Sequence, residues 1–128
     1  MKKQTKKPAP KKLPVKRQTK PLLTAGVKHD DGKLRFDLLS PHANAGLAAV
    51  LTYGAAKYND RNWEQGLTFG RVYAALQRHL HAWWAGEEAD EESGLPHLDH
   101  AACCVHFLSH FQKTETGQDD RPCGCAEG

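Results

Sequence analysis

Residues 71–111 read RVYAALQRHLHAWWAGEEADEESGLPHLDHAACCVHFLSHF, two helix-like segments joined by an acidic connection that runs from Gly86 to Gly94. At 100° per residue, Val72, Leu76, His79 and Trp83 share one stripe of the first segment, while Gln77 and His81 point away. In the second segment Leu98, Ala101, Val105 and Leu108 make an apolar arc flanked by His97, with His100 slightly further round beside Cys104 and Phe111. Asp99, His106 and His110 fall on the opposite face. The phasing therefore predicts that His79, His97 and His100 look inward and that His81, His106 and His110 are solvated.

The flanking sequence supplies the ends of these helices and one helix more. Ser40 followed by Pro41 is an N-cap with a first-turn proline, and Leu47, Val50, Leu51, Gly54 and Tyr58 follow at helical spacing, which predicts a first helix over residues 41–57. After a turn-rich connection over 59–66, Thr68 can cap a second helix that runs to about Ala85 and stops at Gly86. Pro96 opens a third that continues to about Gln112. Upstream, the DG pair at Asp31 and Gly32 signals a turn. The expected fold is all-α, a small bundle of about three main helices with disordered tails at both ends.

The chain of 128 residues is 39% hydrophobic, enough for one small domain. Its net charge of +3 conceals an asymmetry: residues 1–21 hold nine of the eighteen Lys and Arg and no acid, while the remainder sets nine bases against fifteen acids. The basic stretch carries four prolines and almost no apolar periodicity, so it is read as a disordered tail over 1–21. Such a tail can give nucleic acid or another polyanion a loose electrostatic hold, without aromatic residues to read bases, or serve only as a solubilising or extraneous extension. The helical domain is placed at 22–114 and a polar, cysteine-containing tail at 115–128. No run approaches the length needed to span a bilayer, and the lysine-rich start lacks the apolar region of a secretory signal, which predicts a cytosolic protein and no membrane contact. Cys103 and Cys104 sit in a helix pattern as small buried residues; Cys123 and Cys125 lie in the polar tail, without the spacing of a zinc ribbon.

Histidines beside carboxylates are the material of metal and acid/base sites. Glu87, Glu88, Asp90, Glu91 and Glu92 crowd the connection just before the third helix. They can serve the helix dipole and solubility, or Glu87 and Asp90 can hold a divalent cation with a histidine completing the set. Lys28, Lys33 and Arg35 bracket the DG turn, Lys57 ends the first helix, and Arg71 and Arg78 flank the inward stripe of the second. Together they can neutralise a polyphosphate, and Tyr58 and Trp63 offer flat faces for a nucleobase.

The run K-x-D-x-G-K-x-R at 28–35, YGAAKY at 53–58, NWEQG at 62–66, RHLHAWWAGEEADEESGLPHLDHAA at 78–102 and FL at 107–108 resemble the phage dATP/dGTP diphosphohydrolase N-terminal domain family, over about residues 26–112. The resemblance implies a MazG-like all-α pyrophosphohydrolase in the host cytoplasm. It would cleave dGTP or dATP to monophosphate and pyrophosphate with a divalent metal, Mg2+ first and Mn2+ or Co2+ as alternatives. Some members are linked to pathways that need dGMP for 2-aminoadenine DNA. On this reading Glu87, Asp90 and His97 bind metal, His79, His97 and His100 do the catalytic work, and Lys28, Lys33, Arg35, Lys57, Asn62, Trp63 and Arg78 bind substrate. Three short helices leave apolar surface uncovered, so a homo-oligomer is expected. The competing reading is a non-catalytic nucleic-acid-binding accessory protein that uses the basic tail.

Overall fold

The computed structural model describes residues 25–122; the basic stretch 1–21 and the pair Cys123 and Cys125 lie outside the described residues. Within them the chain forms three α-helices and no strand, in the expected order: α1 (Pro41–Lys57), α2 (Phe69–Trp84) and α3 (His97–Thr114), with 3-10 turns at Phe36–Leu38 and Asn62–Gln65. None of these helices is long and apolar enough to cross a membrane. The chain divides into two units at Arg35. In the first, residues 25–34 are exposed, and the Lys33 N–H donates to the Asp30 carbonyl at 3.1 Å, closing the turn that the DG pair signals. The second unit is the helical domain.

Ser40 caps α1 as expected, its Oγ accepting the Ala43 N–H at 3.2 Å. At the other end of the domain α2 and α3 pack together over a core of Phe69, Val72, Cys104 and Phe111, with Trp63, Ala75, Leu76, Phe107 and Leu108 against it. The Phe69 and Phe111 rings lie 6.1 Å apart and nearly parallel, and Phe111 has no exposed surface.

The buried face of α3 is rotated from the expected arc. His97, Ala101, Cys103, Cys104 and Phe111 are buried, whereas Leu98 and Val105 are 44% and 53% exposed. The reason is that α3 is held from two sides. Cys104 and Phe111 meet α2, while α1 packs against the side that carries Asp99. Gly46 permits that approach: a Cβ there would overlap the Asp99 carboxylate. Asp99, expected on the solvated face, is consequently half-buried.

Thr68 precedes α2 without capping it through its side chain. The helix start is closed from fifty residues away, where the Gly70 N–H donates to Asp120 Oδ1 at 2.7 Å and the Phe69 N–H to the Gln118 carbonyl at 2.9 Å. The Gln118 N–H returns a bond to the Leu67 carbonyl at 3.2 Å. Residues 115–120, assigned by their polarity to a tail, thus form a strap that ties the end of α3 to the start of α2. Close passage requires glycine: Gly117 has φ +81°, and a Cβ on it would stand 2.6 Å from the Leu67 carbonyl oxygen.

Candidate active site

The connection between α2 and α3 is a closed structure. α2 ends in a Schellman arrangement, with the Gly86 N–H on the Trp83 carbonyl at 3.0 Å and the Glu87 N–H on the Ala82 carbonyl at 2.9 Å; Gly86 supplies the positive φ of 99°. The chain then pairs with itself. The Asp90 N–H donates to the Leu95 carbonyl at 2.9 Å, the Gly94 N–H to the Asp90 carbonyl at 2.7 Å, and the His97 N–H, at the start of α3, to the Glu88 carbonyl at 2.8 Å. Five acids enter this loop and it sends them in different directions.

Asp90 turns inward. Its Oδ2 accepts the Ser93 N–H at 3.0 Å, and one donor atom from each of His79, Asp90 and His97 lies within 4.8 Å of the others, so the three can hold a metal ion. Burial opposes ionisation of Asp90, but its hydrogen bonds from Ser93 and the nearby imidazoles win and hold its carboxyl below the ordinary value. Glu87 is exposed and places Oε2 3.5 Å from the Nε2 of the buried His97. That separation is too long for a good hydrogen bond, and His97 Nε2 is otherwise without a partner although buried. Glu92 bonds to Lys57 and, at 3.2 Å, accepts the Tyr53 hydroxyl, tying the loop to α1. Glu88 and Glu91 are exposed.

The three histidines that phasing turned inward converge. The Nδ1 atoms of His79 and His97 are 3.0 Å apart, and the His79 and His100 rings stack at 4.6 Å with 6° between their planes. Ser93 Oγ lies 2.6 Å from His100 Nε2 and accepts the Leu95 N–H at 3.1 Å. Burial lowers the affinity of His79 and His100 for protons, and in His79 the neighbouring His100 adds to the effect. Neutral imidazoles are what ligation and proton acceptance both need.

A cleft of about 1320 Å³ opens between α1 and the α2–α3 pair, with His79, Asp90 and His100 in its wall. Lys57, Asn62, Trp63 and Arg78 also line it, as do Arg71 and Tyr58. Lys57 is engaged by Glu92, which holds its ammonium well above the usual lysine range. Trp63 is committed to packing: its ring stacks on Phe107 at 4.6 Å and meets the edge of His110 at 4.8 Å. His106 and His110 flank Trp63 along the cleft; His106 is exposed, as expected, whereas His110 is half-buried. Arg35 pairs with Asp37 at 2.5 Å, away from the lining residues. Lys28 and Lys33 belong to the first unit, where they lie in the exposed segment 25–34.

Ser93 and Tyr53 escaped the reading of the sequence. Asp90 accepts the backbone N–H three residues on, which any residue but proline could donate, so Ser93 leaves no mark in the sequence, and nothing in the sequence alone marks Tyr53 as a partner of Glu92. Cys103 and Cys104 are buried as expected and line the cleft, with burial raising both thiols, Cys103 to about 12, which leaves them protonated and unreactive.

Comparison with known proteins gives two matches. A family model described as dATP/dGTP diphosphohydrolase, N-terminal, matches residues 24–121. A curated relative from Salmonella phage PMBT28, named dATP/dGTP diphosphohydrolase, is 35% identical over 96 residues, which cover 75% of this chain. The chain spans about a third of that relative's length, 33%. No solved structure matches.

Proposed function

The chain belongs to the dATP/dGTP diphosphohydrolase N-terminal family, and from that premise we propose that it hydrolyses a purine deoxynucleoside triphosphate, dGTP or dATP, to the monophosphate and pyrophosphate in the cleft between α1 and the α2–α3 pair. One observation carries the assignment to this place. The cleft wall joins the His79, Asp90 and His100 side chains to Arg71 and Arg78, two exposed cations that form no ion pair among the described residues. A triphosphate requires both features, cations for its charge and a group that handles protons beside its phosphorus.

The donor set of His79, Asp90 and His97 fits a divalent ion, because one donor atom of each already lies within 4.8 Å of the others. Such an ion, when bound, would offset phosphate charge and promote ionisation of water. The residues of the chain do the rest. Arg71 and Arg78 hold the polyphosphate, and Asn62 and Tyr58, exposed along the same cleft, face the sugar and base. With Ser93 Oγ accepting the His100 Nε2–H, the Nδ1 lone pair of His100 is left to take the proton from the attacking water. The water oxygen bonds to the α-phosphorus, the bond to the bridging oxygen breaks, and pyrophosphate leaves. The monophosphate, dGMP in the dGTP case, is the product that a pathway to 2-aminoadenine DNA would consume.

Exposed Tyr73, Leu80 and Trp84 share one side of α2 by helical phase and support self-association as part of the same reading. The test of the activity is product analysis with a panel of triphosphates and a divalent cation. Deoxynucleoside monophosphate and pyrophosphate from dGTP or dATP are expected; orthophosphate alone, or no product, removes the reading.

A further inference from the structure

The surroundings of His97 bear on which ion the pocket takes. Two nitrogens bound to one ion at the usual length of about 2.1 Å stand from about 3.0 Å apart, at a right angle, to about 3.4 Å, at the tetrahedral angle. The Nδ1 atoms of His79 and His97 lie at the lower end of that range, 3.0 Å apart. Without an ion the same spacing accommodates one shared proton, donated by one ring and accepted by the other. Asp90 completes the set with a carboxylate, one oxygen of which is fixed by the Ser93 N–H while the other remains for a ligand bond.

The far side of the His97 ring supplies a second, independent observation. Its Nε2 is buried without a hydrogen-bond partner, and the carboxylate of Glu87 stands 3.5 Å away. If Nδ1 gives its lone pair to an ion, Nε2 must carry the proton, and that proton requires an acceptor. A shift of a few tenths of an ångström brings Glu87 into hydrogen-bond range. A carboxylate hydrogen-bonded behind the ring in this way would fix its orientation and raise its basicity toward a bound ion. Glu87 has this position behind the ring, with His97 between it and the donor atoms of His79.

We propose that this pocket is a two-histidine, one-carboxylate site, formed by His79, His97 and Asp90, which takes a first-row transition ion in preference to Mg2+, and that Glu87 is a positioning residue behind His97 and no ligand. Mg2+ is a hard cation that binds through carboxylates, phosphates and water, whereas imidazole suits the borderline ions such as Co2+ and Zn2+. Two of three protein donors here are imidazole nitrogens. The purpose of the ion rests on the hydrolase reading; its binding does not.

The experiment uses the full chain, stripped with a chelator, and titrates Co2+ and Mg2+ separately by calorimetry, with the visible absorption of Co2+ followed in parallel. The expected result is one equivalent of Co2+ with a visible band, bound at least about 100-fold more tightly than Mg2+. His79→Ala, at a half-buried position, removes the band. Glu87→Gln, at an exposed position, keeps the band and weakens Co2+ by about 10- to 100-fold, whereas Glu88→Gln changes neither. Circular dichroism of each variant separates lost binding from lost fold, and the exposed Glu87 and Glu88 variants keep the comparison valid if His79→Ala unfolds. Equal affinity for Mg2+ and Co2+, or a Co2+ site intact in folded His79→Ala, overturns the site. Unchanged Co2+ affinity in Glu87→Gln, or complete loss of the band, overturns the role given to Glu87. Tight Co2+ binding by a protein that releases no pyrophosphate leaves this site standing and removes the hydrolase reading alone.

Discussion

Two polar connections close the two ends of α2, and they use similar residues for different ends. The loop over 85–96 and the strap over 115–120 are both rich in acids, and each contains glycine with positive φ. In the strap the polar groups finish backbone hydrogen bonding: Asp120 caps Gly70, and Gln118 pairs with Leu67 and Phe69. In the loop the backbone closes largely on its own turns, and Asp90 gives one oxygen to the Ser93 N–H while its carboxylate still lies within 4.8 Å of a ring nitrogen of His79 and of His97. The difference lies in what stands behind the acids. Buried nitrogen bases convert a carboxylate into part of a site, while unsatisfied amides at a helix start convert it into a cap.

The comparison can be broken from either side. The largest expected effect is Asp90→Asn, which keeps an acceptor for the Ser93 N–H but removes the charge that faces His79 and His97; turnover of dGTP falls about 10³-fold, several kcal/mol of barrier. Urea unfolding of the same variant shows little change. Gly117→Ala should do the opposite, because a side chain at φ +81° would also run into the Leu67 carbonyl. Stability falls by about 2–3 kcal/mol, read as a lower urea midpoint, while activity per folded molecule is retained. Asp120→Ala is a milder version, costing about 1 kcal/mol through the lost cap. A strap variant that lost activity while fully folded would merge the two regions into one functional unit.

The smallest effect belongs to Glu92→Gln. This carboxylate joins the loop to Lys57 and Tyr53 at an exposed position, where ion pairs add little, so the unfolding midpoint should hardly move. Freed from Glu92, Lys57 becomes available to phosphate along the cleft, and the KM for dGTP is expected to fall modestly at unchanged kcat. A higher KM would show instead that Glu92 holds Lys57 in place for the substrate.

The helices were legible because their ends carry local chemistry: Ser40 and Pro41 start α1, Gly86 stops α2 and Pro96 precedes α3. The convergence of His79, His97 and His100 was legible too, since helical phase places each on the side facing the neighbouring helix. What phase could not supply was the second neighbour of α3. Gly46 looks like any helical glycine until Asp99 is seen against it, and the rotation of the α3 face, with Leu98 and Val105 left exposed, follows from that contact. The same limit explains Asp120. A cap reaching Gly70 from fifty residues away leaves no local mark, whereas Thr68 stands where a local cap belongs and makes no side-chain bond to the helix. Among the five loop acids, Asp90 is set apart by the Ser93 N–H and by its place beside His79 and His97, and both follow from the folded loop.

On the proposed function, the cluster at the end of α2 performs the chemistry. Its most direct test is to quantify pyrophosphate and dGMP released from dGTP, with a divalent cation present, by the full chain and by His79→Ala at equal concentrations of folded protein. Equal amounts of pyrophosphate and dGMP are expected from the unaltered chain, with a loss of about 10³-fold in the variant. Undiminished release by folded His79→Ala would contradict it.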